Sequence, residues 1–219
     1  MVARAVEEFV RASLPPPAAR VLEVGAGDGE LAARLGAAGY EVVAIDPSGE
    51  GAVLPVALLD LDEPDASFDA ALAVVSLHHV EPLEPSCRRL AEVVRPGGAL
   101  VVDEFDVGLV DEAAARWLLD RWRETGQARD RDPADMVAEL RAHLHPLGTI
   151  RDELGEWFEL GPVARASYLY RWYLGEEFRE GEEELIAAGS LPELGARFVG
   201  RRRQPRSPAT RTPATSPTG

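Results

Sequence analysis

The chain has 219 residues and is 46% hydrophobic, enough for one domain with its own core. Its formal charge of −15 repels a phosphate backbone, which sets nucleic acid aside as a partner, and no apolar run approaches the ~20 residues of a membrane span. A single cysteine, Cys87, excludes an internal disulfide, and no Cys/His cluster has the spacing of a metal site.

The N-terminal stretch "MVARAVEEFVRASLPPPAAR" carries Glu7 and Glu8 inside an apolar pattern, so it reads as an amphipathic helix and not as a signal peptide. With the lone cysteine, this points to a cytoplasmic protein. Val21–Val24 is a short buried strand, and "GELAARLGAAG" (29–39) is a helix ending at a glycine. "YEVVAID" (40–46) is a second strand and "LPVALLD" (54–60) a third. "FDAALAVVS" (68–76) is a fourth, followed by a helix over 83–94, a turn at "RPGG" and a fifth strand at "ALVVDEF" (99–105). Apolar strands alternating with helices predict an α/β fold, doubly wound, with a mostly parallel Rossmann-like sheet. One connection is anomalous: only "PSGEGAV" lies between the second and third strands, where a crossover needs ten or more residues. Either that crossover is bare, or 54–60 is not a full strand.

After Phe105, "DEAAARWLLDRWRETGQ" (111–127) and "PADMVAELRAHL" (133–144) are amphipathic helices that predict a cap inserted after the fifth strand, over about 106–156. "WFELGPVARASYLYRWY" (157–173) mixes a strand with aromatic residues, "EEELIAAG" is a helix and "ARFVGRR" a last strand. Residues 1–200 are expected to form one domain. The tail 201–219, rich in Pro, Ser and Thr with five arginines, is expected to be disordered. Without it the body carries −20.

The stretch "VLEVGAGDGELAARL" places Gly25, Gly27 and Gly29 at alternate positions, with Glu23 before them and Glu30 where a dinucleotide fingerprint has its last glycine. This pattern resembles motif I of the class I S-adenosylmethionine-dependent methyltransferases, (D/E)-x-G-x-G-x-G. "SFDAALAVVSLHHV" and "LAEVVRPGGALVVDE" resemble that family's next strand and loop, then its helix, turn and strand, so the likeness covers 21–104. It implies S-adenosyl-L-methionine as cofactor. It also implies a cofactor site of Glu23, Gly25, Ala26, Gly27 and Gly29 at the turn, Asp46 and Pro47 at the ribose, Asp60 and Leu61 at the adenine, and Ser76. The sequence departs from the family in lacking a helix after Asp46 and in the short interval after Asp60, where Asp62 is an alternative.

Methyl transfer uses an activated reagent, so the protein mainly aligns the acceptor and excludes water. Ligands of doubly wound sheets sit beyond the carboxyl ends of the strands, where the sequence places Ser76, Leu77, His78, His79, Glu104 and Phe105. A histidine there is suited to take a proton from a hydroxyl acceptor, with His78 slightly favoured over His79. His143 and His145 sit at a helix end and read as capping groups. Tyr168, Tyr170, Trp172 and Tyr173, with Arg171 among them, read equally as an acceptor pocket or as core. Trp117 and Trp122 read better as core. The expected activity is methylation of a small-molecule acceptor at oxygen, with no metal, nucleic acid or membrane partner and the oligomeric state open. The alternative is a catalytically silent nucleoside-binding module of the same fold.

Overall fold

The computed structural model describes residues 4–127 and 131–204. Most of the Pro/Ser/Thr-rich tail therefore lies outside the described residues. In chain order the elements are α1 (Arg4–Ser13), β1 (Arg20–Val24), α2 (Glu30–Ala37), β2 (Glu41–Ile45), β3 (Phe68–Val74), α3 (Leu83–Val93) and β4 (Val94–Phe105). There follow α4 (Glu112–Glu124), α5 (Pro133–His143), α6 (Leu147–Trp157), β5 (Phe158–Leu160), β6 (Ala164–Ala166), α7 (Arg179–Ala187) and β7 (Gly195–Arg202). The sheet runs β2-β1-β3-β4-β7-β5, parallel from β2 to β4 and antiparallel around β7, which also pairs with β6.

The near-continuous apolar strands are explained by burial on both sides. Leu22, Val24, Ala71, Ala73, Leu100 and Val102 face one layer, where α3 and α6 pack. Their alternating neighbours Val21, Ala70, Leu72, Ala99 and Val101 face α1 and α2 through Val6, Val10, Leu31 and Leu35. Among the described residues no helix is long and apolar enough to cross a membrane.

Three expectations need correction. Residues 54–60 form no strand: one bridge, Ile45 to Leu54, is followed by coil and a single 3-10 turn at Leu58–Asp60. Seven linking residues cannot carry the chain over the sheet, so the segment folds along the edge of β2, and the strand numbered fifth in the sequence is β4. "RPGG" is a bulge inside β4, since Phe68 pairs with Val94 and Ala70 with Ala99, leaving Arg95–Gly98 looped out. The last strand continues through Arg202, past the expected tail boundary.

The helices after β4 divide between two jobs. α4 and α5 build a separate cluster of Phe105, Val110, Leu118, Met136, Val137 and Tyr168 over the carboxyl ends of the strands. α6, which has no counterpart in the sequence reading and falls inside the expected cap interval, instead covers the sheet with Leu147, Ile150 and Leu154. Each cap helix starts at an aspartate whose carboxylate accepts an orphan N–H: Asp111 from Ala114 (2.8 Å) and Asp132 from Ala134 (2.8 Å), the latter with Pro133 in the first turn.

Candidate functional site

At the end of β1 the chain turns through Gly25 (φ +69°), Gly27 (+54°) and Gly29 (+75°), all in the left-handed region. At Gly25 space is also decisive, because a Cβ there would lie 2.2 Å from Cβ of Ser76. At Gly27 a Cβ would meet nothing within 4 Å, and at Gly29 it would strike Val53 at 2.8 Å. The turn is stapled to the end of β2. Gly25 and Ala26 N–H groups donate to the Ile45 carbonyl (2.8 and 3.0 Å), and Gly27 N–H donates to Oδ2 of Asp46 (3.1 Å). Oδ1 of Asp46 accepts from the Ser48 N–H (2.9 Å) and hydroxyl (2.6 Å). Burial works to raise the Asp46 pKa, but these bonds outweigh it and hold the group below the ordinary carboxylate value. One acceptor position remains open, on Oδ2.

Asp46, Pro47, Gly25 and Ser76 line a cavity of 390 Å³ whose far wall is Val56, Ala57 and Leu58. Ser76 is fixed there by its hydroxyl, which donates to the Val24 carbonyl (2.8 Å). Other expected residues stand elsewhere. Ala26, Gly27 and Gly29 shape the turn without lining the cavity, Asp60 is exposed, and Leu61 is buried in the core beside α3. The displacement follows from the missing strand, which would have carried Asp60 to the sheet's carboxyl edge. Asp62 is exposed too, so neither acid faces the cavity.

Glu23 also lies off the cavity. Its buried carboxylate receives the Ala32 N–H in the first turn of α2, whose cap residue Gly29 supplies no side chain. Burial pushes its pKa up to about 7, and among the described residues Oε2 has no hydrogen-bond partner. Below pH 4.5 the acid is protonated folded or unfolded. Between 4.5 and about 7 only the unfolded chain ionises, so stability falls as pH rises through that window. Above it the full penalty is about 3 kcal/mol. Glu23→Gln should therefore raise the urea midpoint at pH 8 and leave it nearly unchanged at pH 4.5. Equal midpoint shifts at both pH values would contradict this.

Beyond β3 the chain passes through Val75, a β-branched residue at φ +52°, which costs about 1–3 kcal/mol of backbone strain. Its N–H is held by the Asp103 carbonyl (2.7 Å). The strain lies where the 390 Å³ cavity meets a second one of 450 Å³, since Val75 and His79 line both. In the second cavity His78, Phe105, Tyr168, Trp172 and Tyr173 face Leu140, His143 and Leu144 of the cap.

His78 is 3% exposed, and its Nδ1 is 2.7 Å from Oε2 of Glu104. Glu104, fully buried, also accepts the Ser76 and Leu77 N–H groups on Oε1 (2.7 and 2.6 Å) and that of Phe105 on Oε2 (3.3 Å). Such a carboxylate is an acceptor only, so Nδ1 carries the proton in this bond, and in the neutral ring Nε2 is then the nitrogen with the lone pair. Among the described residues Nε2 has no hydrogen-bond partner. His79 is exposed, with its ring 4.3 Å from that of His78. Burial first, then the neighbouring His78 ring, lower its pKa.

Arg171 is committed to Asp103 (2.7 Å), which Arg197 also grips (2.6 Å). The aromatic cluster divides: Phe105 and Tyr168 stack at 4.8 Å and are buried, while Tyr173 is 73% exposed. Trp122 packs edge-on against Trp172 and donates Nε1–H to its carbonyl (2.9 Å). Two features have no sequence signal, the strained Val75 and the buried Glu182, whose carboxylate accepts the N–H groups of Tyr168, Leu169 and Tyr170 (2.7, 2.9 and 2.8 Å).

The sequence model of a family described as "Methyltransferase domain" matches residues 2–160. An uncharacterized methyltransferase of Mycobacterium tuberculosis is 38% identical over 159 residues, 66% of this chain, and this chain spans only 60% of its length. The 27-O-demethylrifamycin SV methyltransferase of Amycolatopsis mediterranei is 33% identical over 104 residues, 39% of this chain and 38% of its own. Among solved structures, an S-adenosylmethionine-dependent methyltransferase of Listeria monocytogenes aligns over 91% of this chain and 98% of its own at a TM-score of 0.62, with 14% identity. The 1,6-didemethyltoxoflavin-N1-methyltransferase of Burkholderia thailandensis aligns over 92% and 78% at 0.56, with 17% identity. Likenesses this distant establish the fold.

Proposed function

The chain belongs to the methyltransferase-domain family, and from that premise we propose that it transfers a methyl group from S-adenosylmethionine to an oxygen of a small-molecule acceptor. The observation that carries this reading is the meeting of two cavities over the strand ends at Val75 and His79. The first fits a nucleoside. Its wall at Val56–Leu58 suits a flat base, and the open lone pair on Asp46 Oδ2 suits a ribose hydroxyl. The Ser48 hydroxyl can rotate away to free a second. The bare backbone at Gly27 leaves room for the rest of the molecule. The short crossover does not argue for a silent module, because the coil at Val56 and Ala57 and the first residue of the 3-10 turn, Leu58, supply the wall that the missing strand would have built.

When bound, the cofactor would supply an activated methyl group on a sulfonium, whose leaving group is a neutral thioether. The acceptor's proton goes to Nε2 of His78, with Glu104 holding the ring in the accepting tautomer. His78 suits this better than His79, whose ring no hydrogen bond orients among the described residues.

Calorimetric titration with S-adenosylhomocysteine, with NAD as control, tests the reading. Micromolar binding is expected for the parent, with a loss of at least about thirtyfold in Asp46→Ala, the scale of a hydrogen bond to a charged group. Binding that survives Asp46→Ala would reject the ribose assignment. Heat with NAD alone would reject the function.

A further inference from the structure

The second cavity also constrains what enters it. More than half of its lining side chains carry rings. Phe105 and Tyr168 form the stacked floor, and His78 stands edge-on to Phe105 at 4.8 Å. Trp172 and Tyr173 form a lip that α4 and the residues just after it hold from outside, through the Trp122 bond to the Trp172 carbonyl and a bond from Gln127 Nε2 to the Tyr173 carbonyl (2.7 Å). Tyr173 sits at φ +57°, so its exposed position is imposed on the backbone.

Each charge facing this space has a partner. Glu139 pairs with Arg131, Arg171 with Asp103, and Glu104 accepts four N–H groups. A carboxylate or ammonium ligand finds each of these charges already engaged, whereas a neutral flat ligand gains ring contacts without competing for them. The base then selects the hydroxyl. A phenolic proton, with pKa near 10, leaves far more readily than an aliphatic one, whose pKa is as high as that of water. This advantage holds whatever the basicity of the imidazole.

We infer that the acceptor is an uncharged aromatic hydroxyl compound of one or two rings, stacked against Trp172 with its hydroxyl toward Nε2 of His78. The inference rests on the methyltransferase reading and names its substrate class. A cavity of 450 Å³ lies at the small end of the range for organic ligands, which suits that size.

The test uses the full chain saturated with S-adenosylhomocysteine and titrated calorimetrically with 2-naphthol, 2-naphthoate, 2-naphthylmethylammonium and cyclohexanol. Mass spectrometry looks for the methyl ether when S-adenosylmethionine is supplied. The expected result is binding of 2-naphthol at least tenfold tighter than of any other probe, formation of its methyl ether, and at least tenfold weaker binding in Trp172→Ala. Trp172→Phe keeps a ring and should restore most of the affinity, which separates a lost contact from a damaged fold. Equal or tighter binding of the charged or aliphatic probes overturns the inference, as does 2-naphthol binding indifferent to Trp172→Ala. If the homocysteine product binds and 2-naphthol does not, the substrate class falls alone. If neither binds, the methyltransferase reading falls with it.

Discussion

His78→Ala is expected to bind S-adenosylhomocysteine within about twofold of the parent and to lose about a thousandfold in kcat, the middle of the range for a positioned general base. The split follows from position, because His78 lines the second cavity and not the first. Glu104→Gln should cost a similar factor by a different route. Its amide oxygen can replace Oε1 and keep the Ser76 and Leu77 N–H groups, but the NH2 group then faces Nδ1 of His78. The ring responds by turning Nδ1 into the acceptor, which moves its proton to Nε2 and leaves no lone pair for the substrate. The double variant should therefore lose little more than either single one, since both remove the same function. A variant retaining a tenth or more of the parent rate would transfer the proton elsewhere, His79 being the neighbour in place to take it.

How much of this was legible beforehand depends on the range of the interactions. β1, β3 and β4 are visible as apolar runs because burial on both faces leaves a local trace. The glycine turn is visible because three left-handed positions demand one residue type. α6 escapes because Gly148 and Gly155 interrupt a pattern that only its packing against the sheet completes. Residues 54–60 look like a strand because Leu54, Val56, Leu58 and Leu59 are apolar. Yet Leu54 and Leu59 are exposed, and the brevity of the preceding link, itself readable, decides the outcome. Asp46 could be placed because it ends a strand that the pattern fixes, while Asp60 was placed by a strand that does not form. His78 was found by position, but its tautomer depends on Glu104, 26 residues away, and no local pattern reports that.

Glu182 is the extreme case of that long range. It sits in the acidic run "EEFREGEEE", where a solvated face is the natural reading, yet its side chain is fully buried on α7. Two of its three N–H donors, Tyr168 and Leu169, share Oε1, and Tyr170 takes Oε2. Glu182→Ala strands three buried donors and opens a void, which together should cost about 3–5 kcal/mol. That is a drop of about 6–20 °C in Tm for a domain of this size. Glu182→Gln keeps the shared acceptor, turns an NH2 group toward Tyr170 and should cost about half as much. The damage has an address, because Tyr168, Arg171 and Trp172 wall the second cavity and none of them touches the first. Hydrogen exchange should speed up at the Tyr168–Tyr170 amides in Glu182→Gln, and acceptor binding should weaken while affinity for S-adenosylhomocysteine holds. Parallel loss of both affinities would mean that the aromatic wall and the nucleoside cavity rise and fall as one unit. Selective loss would make Glu182 the positioning residue of the acceptor side, as Glu104 is of the base.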